Sequence, residues 1–342
     1  MAKFSQIISA IDSHTEGHNT RIVLSGMPPV RGNTMAEKFI YIKKSVAHKE
    51  MREALMLEPR GHRGMFGAVL TPPCHPEADW GIIFMNDSNF LPGCGHGTIG
   101  TATVLAEMGI AEVKEPETVI VFDTPAGLVH AHVVMKDGRA AEVWFENVPA
   151  FLYRGDVTVD VPGVGNITLD IAFGGNFYAI VSADQLGMTV ELANMLQLRE
   201  KGLRIREAVS EQVKIQHPLE KDLDYCEIVY FIGPPSHPEA VPPNSARQMT
   251  VVGPTGVVGR CPCGTGTSAR MAALYAKGKL KLGETIAHES LIGRFFYGQL
   301  LREVSLEEFK AVIPHITGTA HITGIQQFVI DPDDALKYGF MF

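Results

Sequence analysis

Two cysteines, Cys94 and Cys263, each stand directly before a glycine-rich turn. Around the first the chain reads GCGHGTIGTATVLA (Gly93 to Ala106), and around the second GRCPCGTGTSARMA (Gly259 to Ala272). Laid over each other from the cysteine, CGHGTIGTATVLAEMG and CGTGTSARMAALYAKG share Cys, Gly, Gly, Thr, Leu and a final Gly without a gap. Each stretch spells a thiol, a glycine turn, a helix and a glycine stop, at Gly109 and at Gly278. The repeat points to two similar α/β domains, each presenting one cysteine at a helix N-terminus.

That placement has chemical consequences. The first turn of a helix carries unpaired backbone N–H groups and the positive end of the helix dipole. A cysteine there has its thiolate favoured, drawing the pKa from about 8.5 toward neutrality. Glycines let the backbone approach a ligand, so the same N–H groups can hold a carboxylate or a phosphate. Two such elements facing one another would clamp one anionic group and set a thiol on each side of it. With one cysteine as thiolate and the other as thiol, a carbon acid between them loses a proton on one face and gains one on the other. Inversion next to a carboxylate then needs neither metal nor organic cofactor. Taken singly, a Cys-Gly pair also reads as a small buried hydrophobe. Nucleotide binding is disfavoured, because CGTGTSA lacks the Lys-Ser/Thr ending of a P-loop.

The rest of the chain must position these two helices. At 342 residues, with 45% hydrophobic and 20% charged, two ordinary domains with substantial cores are expected. The net charge of −8 and the absence of a basic run argue against nucleic acid as a partner. MAKFSQIISAIDSHTEG lacks the continuous apolar segment of a signal peptide, and no later stretch approaches a membrane span. Five cysteines, Cys74, Cys94, Cys226, Cys261 and Cys263, read as reduced thiols of a cytoplasmic protein, and no zinc-ligand spacing is present.

Strand-like runs are QIISAIDSH, TRIVLSGMP, MREALMLEPRGH and GIIFMND, followed by the Cys94 helix ending near Gly109. Further strands are TVIVFDTPAG, LVHAHVVMKDGRAAEVWFENVP and NITLDIAFGGNFYAIVSA, with MKDGR as a hairpin turn. TVELANMLQLREKGLRIREAVSEQV carries the longest helical pattern. CEIVYFIG, a Pro-rich loop, RQMTVVG, the Cys263 helix, SLIGRFFYGQLL and HITGTAHITGIQQFVID complete the chain.

The sequence resembles the proline racemase family, which includes proline racemases, 4-hydroxyproline epimerases and trans-3-hydroxyproline dehydratases. The likeness runs nearly end to end, through AIDSHTEGHNTRIV, LEPRGHRGMFGAV, ADWGIIFM, CGHGTIG, TPAG, NVPAFLY, FGGNFYAI, IQHP, SHPEA, PCGTGTSAR and ITGTAHITG. It implies an α/β (α+β) fold similar to diaminopimelate epimerase: two pseudo-symmetric domains, the active site in the cleft between them, and the C-terminal strand returning to the first. The expected domains are residues 1–118 plus 325–342, carrying Cys94, and residues 119–324, carrying Cys263. The family implies no cofactor, no metal, a small amino-acid substrate and a homodimer.

By position, the resemblance assigns the catalytic base and acid to Cys94 and Cys263, exchanging roles with reaction direction. It sets the substrate carboxylate on the backbone N–H groups of Gly95, His96, Gly264 and Thr265. Phe66 matches an aromatic pocket wall, and His237 in SHPEA is a further candidate for substrate contact. Arg60 and His62 read as structural, with Glu58 as an ion-pair partner for Arg60, and so do Asp12, His14, Glu16 and His18. Dehydratase members carry Thr at the second thiol position, so Cys263 favours racemisation or epimerisation over elimination.

Three positions depart from the family pattern. Gly259 stands where the family has an Asp expected to pair with the substrate ammonium, Val252 and Gly253 where it has a Phe, and Gly93 where it has a Met. All three remove bulk or charge, which admits a larger or differently charged substrate than proline, or a member that binds a carboxylate without inverting it. Cys261 reads as a Ser replacement or as one half of a strained disulfide with Cys263.

Overall fold

The computed structural model describes residues 4–219, 223–253 and 255–341. It divides into two units, Met1–Phe145 with Gly318–Phe342, and Glu146–Thr317. Both are mixed α/β structures in which strands outnumber helices.

The first unit contains β1 (Gln6–Thr15), β2 (His18–Ser25), α1 (Met35–Lys44), α2 (Val46–Met56), β3 (Phe66–Thr71) and β4 (Trp80–Asn86). There follow β5 (Phe90–Leu91), α3 (Gly95–Glu107), β6 (Glu117–Thr124), β7 (Gly127–Lys136) and β8 (Arg139–Glu146). The C-terminal strand β18 (Ala320–Ile330) returns to pair antiparallel with β1. Its strands run in the order β18-β1-β2-β3-β4-β6-β7-β8, with β2–β3 and β4–β6 parallel.

The second unit contains β9 (Ala150–Val161), β10 (Gly165–Phe173), β11 (Phe177–Ser182), α4 (Met195–Gln212), β12 (Ile228–Gly233) and β13 (Ala246–Val252). It continues with β14 (Val257–Val258), α5 (Gly264–Ala276), β15 (Thr285–Glu289), β16 (Phe295–Leu306) and β17 (Phe309–Gly318). Here the order β9-β10-β11-β12-β13-β15-β16-β17 closes into a barrel, because β17 pairs back onto β9. Its parallel pairs, β11–β12 and β13–β15, fall where the first unit has β2–β3 and β4–β6. The near-repeat in the sequence is thus a repeat of connectivity: α3 and α5 occupy the same place in each unit, inside a strand–helix–strand crossover.

Each cysteine helix is central to its own unit. Gly95 through Ala106 are all buried, and α3 packs against β1, β2, β3, β7 and β18. A helix that is apolar or small on every face can only be stable when surrounded in this way. At Gly100 a β-carbon would meet Ser13 Oγ and Thr15 Oγ1, each at 3.0 Å, so glycine lets β1 lie against the helix. Both helices span thirteen residues and end alike. Gly109 and Gly278 have φ of 64° and 69°, left-handed conformations that glycine adopts without strain. Their amides bond back to Ala106 O and Tyr275 O.

The elements follow much of the sequence reading, but α1, β3, β9 and β15 have no counterpart in it, and two further differences stand out. Residues 51–56, expected as strand, close α2 instead, because Met51, Ala54 and Leu55 recur at helical spacing and are buried together. The units also differ in bounds from the expected 1–118 plus 325–342 and 119–324. β6, β7 and β8 pair with one another and with β4, so they belong to the first unit. The MKDGR hairpin has φ of 52° at Asp137 and 72° at Gly138, the two positive angles of the tight reversed turn. Among the described residues no helix is long and apolar enough to cross a membrane.

Candidate active site

Cys94 is the N-cap of α3, with extended backbone, and its Sγ accepts from the Gly97 N–H at 3.4 Å. The thiol therefore occupies the seat that Ser or Asp fills at ordinary helix starts. His96 Nδ1 lies 3.1 Å from the same sulfur. The imidazole is fixed on both faces: His18 stacks on it at 4.2 Å between centroids, and Phe66 meets it edge-on at 4.4 Å. Below it, the Thr15 hydroxyl donates to His96 O at 2.8 Å. Burial, then the neighbouring His18, holds His96 well below its ordinary pKa, so the ring is neutral. A neutral ring can accept from the thiol or, in the other tautomer, donate to the thiolate.

Cys263 is the N-cap of α5, but its backbone differs, with φ of 64° at a non-glycine residue. Such a conformation costs about 1–2 kcal/mol and persists only where its surroundings enforce it. Its Sγ lies 3.3 Å from the Tyr178 hydroxyl and 3.9 Å from Thr265 Oγ1, and Tyr178 and Thr265 are themselves 2.5 Å apart. On balance the Cys263 thiol is held above its ordinary pKa: burial pushes it up more than hydrogen bonds from Tyr178, the Gly266 amide and Thr265 pull it down, so the lowering expected at a helix start is not realised here. Asn147 braces the helix start, donating to Gly174 O and to Ser268 Oγ. Gly174 has no room for a side chain, since a β-carbon there would lie 2.3 Å from Thr265 O.

Behind this sulfur runs a buried polar chain. Tyr230 donates to Pro262 O and contacts His288 Nδ1 at 3.1 Å. His288 also meets the Thr267 hydroxyl at 2.7 Å and Arg270 at 2.8 Å, and Arg270 donates to Asn244 O. Burial lowers Arg270 to about 10, and burial with the nearby Arg270 holds His288 well below its ordinary value.

The remaining expected residues are placed as follows. Gly95 and His96 form the first turn of α3, and Gly264 and Thr265 the first turn of α5. Phe66 opens β3 against His96. His237 is 76% exposed, 3.4 Å from Glu239. Gly259 is not open space: a β-carbon there would fall 2.0 Å from Thr250 Oγ1, so Thr250 fills the volume that a side chain at 259 would need. Gly93 does leave room, with Ala126 Cβ at 3.8 Å from a β-carbon built there. Cys261 and Cys263 are both thiols, with no disulfide between them. Arg60 donates to Val329 O and Lys337 O, and Asp12 pairs with Arg21 at 2.8 Å.

Two neighbours of the thiols were not legible in the sequence. The sequence groups His18 with a structural polar cluster, yet it stacks on the ring beside Cys94. Tyr178 sits in the apolar run FYAIVS, whose pattern signals only a buried strand.

Comparison with known proteins gives the family. A proline racemase family model matches residues 10–341. The chain is 48% identical to a proline racemase of Clostridioides difficile, over 99% of both chains. It is 45% identical to a 4-hydroxyproline 2-epimerase of Streptosporangium roseum, over 98% of both. Among solved structures, a hydroxyproline epimerase from Agrobacterium vitis with bound trans-4-hydroxy-L-proline superposes with a TM-score of 0.91 and 32% identity, over 100% of this chain and 96% of that one. The chain is an enzyme of the proline racemase family, an isomerase.

Proposed function

We propose that this enzyme inverts the α-carbon of proline, 4-hydroxyproline or a closely related amino acid, with Cys94 and Cys263 as the two proton-transfer groups. The observation that carries the reading is the matched pair of helix starts, each with a cysteine as N-cap. In this scheme one thiolate takes the α-proton and becomes a thiol. The electron pair spreads onto the substrate carboxylate, and the second thiol returns a proton to the opposite face, becoming a thiolate. The N–H groups of Gly95, His96, Gly264 and Thr265 would hold the carboxylate as its charge grows, which is where fixed donors lower a barrier most. Phe66 keeps His96 in place beside the first sulfur. His237 and Gly259 remain candidates for substrate contact. Homologues named for proline and 4-hydroxyproline support the substrate class.

The Gly259 substitution favours a second reading, in which the substrate nitrogen is held without a carboxylate partner and the preferred substrate is not proline itself. A dehydratase acting on a hydroxyproline would instead release an imine product. Five thiols and no disulfide suit a reducing cytoplasm, and the family resemblance suggests a homodimer. The test is a panel of L- and D-proline, both 4-hydroxyproline epimers and acyclic amino acids in heavy water. Deuterium at the α-carbon of at least one cyclic member is expected; a panel left wholly unexchanged overturns the assignment.

A further inference from the structure

The two sulfurs are held by different chemistry. Cys94 faces an imidazole nitrogen, whereas Cys263 faces a pair of hydroxyls. We propose that Tyr178 is a positioning residue for the reaction: with Thr265 it forms a hydroxyl pair whose O–H groups turn to follow the protonation state of Cys263.

The geometry sets the proton count. Tyr178 Oη is within reach of both Cys263 Sγ and Thr265 Oγ1. When the sulfur is a thiolate, Thr265 donates to Tyr178 and Tyr178 donates to the sulfur. When the sulfur is a thiol, its proton points to Tyr178 Oη and the tyrosine O–H turns to Thr265. Neither hydroxyl gives up its proton, so the pair stabilises each state of the thiol without entering the transfer. Hydrogen bonds to a charged acceptor are roughly twice as strong as neutral ones, so the thiolate gains most.

Few other groups can do this. Tyr178 belongs to a buried cluster with Leu152 of β9, Ala172 of β10, Ile180 of β11, Ile228, Tyr230 and Ile232 of β12, Ala269 and Ala273 of α5, and Cys263. Of these, only Tyr230 and Cys263 titrate. The Tyr230 hydroxyl is turned to Pro262 O and His288, and Arg270 lies beyond His288. Burial and the sulfur itself keep Tyr178 well above its ordinary pKa, so it remains a donor.

This inference rests on Cys263 as a proton-transfer group, but its test does not need turnover. The rate of iodoacetamide alkylation at Cys263 and Cys94 is followed by peptide mass spectrometry, from about pH 6 to about pH 10. In the full-length Tyr178→Phe variant, Cys263 alkylation near neutrality is expected to fall roughly tenfold, the equivalent of about one pKa unit. Cys94 should keep its profile. Thr265→Val should shift Cys263 the same way by less, and Thr265→Ser should restore it, which also covers the case in which Tyr178→Phe fails to fold. A Cys263 profile that superposes on the unmodified enzyme, or an equal shift at Cys94, overturns the proposal. If no substrate shows α-proton exchange while the Cys263 profile shifts as expected, the inversion chemistry fails and the hydroxyl pair stands.

Discussion

His96 and Cys94 form a direct pair on the first turn of α3, with Nδ1 3.1 Å from Sγ and the ring clamped between His18 and Phe66. The pair is built into the helix start itself, since the N-cap and the second helical residue lie side by side. It gives the first sulfur a neutral partner able to accept a hydrogen bond from the thiol or donate one to its anion.

His96→Leu keeps the apolar contacts with Phe66 but removes Nδ1. A hydrogen bond to a charged partner is worth about 2 kcal/mol, so kcat should fall roughly thirtyfold with KM changed much less. Chiral chromatography of timed reactions gives both constants. An unchanged kcat would detach His96 from the chemistry.

Thr250 limits what can replace Gly259. Placing Asp at 259 sets its β-carbon 2.0 Å from Thr250 Oγ1, and Thr250 is fully buried. Gly259→Asp alone should cost about 1–3 kcal/mol, the usual penalty for overpacking. Adding Thr250→Ala should recover stability and raise kcat/KM for proline. Urea denaturation midpoints and substrate profiles follow both effects. A single Gly259→Asp variant as stable as the parent would show that Thr250 does not hold that space.

Stability should depend on pH through His96 and His288, both buried and both held well below their ordinary pKa. The sign follows from proton counting. In the unfolded chain these rings protonate near pH 6.5, whereas in the folded chain they stay neutral to lower pH. Below about pH 6.5 the unfolded state therefore binds more protons, and the fold weakens as pH falls. Each histidine contributes a slope of up to about 1.4 kcal/mol per pH unit. Urea midpoints at about pH 7.5 and about pH 5.5 measure it. A midpoint that holds steady or rises on acidification contradicts the burial of neutral histidines.

Much of the fold was legible because local signals agreed with it. Gly109 and Gly278 marked the ends of α3 and α5, Asp137-Gly138 marked a hairpin, and the Cys-Gly repeat marked equivalent places in the two units. Residues 51–56 misled because a short apolar run does not by itself separate strand from helix; Met51, Ala54 and Leu55 declare a helical face only once α2 is extended back to Val46. Tyr178 and His18 were hidden for another reason. Each reaches its sulfur's neighbourhood through sheet packing, from β11 and β2, over sequence separations that no short motif records. Thr250 was invisible likewise, because the glycine at 259 is readable in the sequence while the residue packed against it is not.

The most direct test of two thiols acting on opposite faces is a single-turnover reaction in heavy water, with the isotope content of both enantiomers read by mass spectrometry after chiral separation. With separate acid and base, the newly formed enantiomer carries solvent deuterium while the recovered starting enantiomer still carries protium. Equal deuterium in both enantiomers from the earliest times would mean that one group removes and returns the proton, and would contradict the division of labour between Cys94 and Cys263.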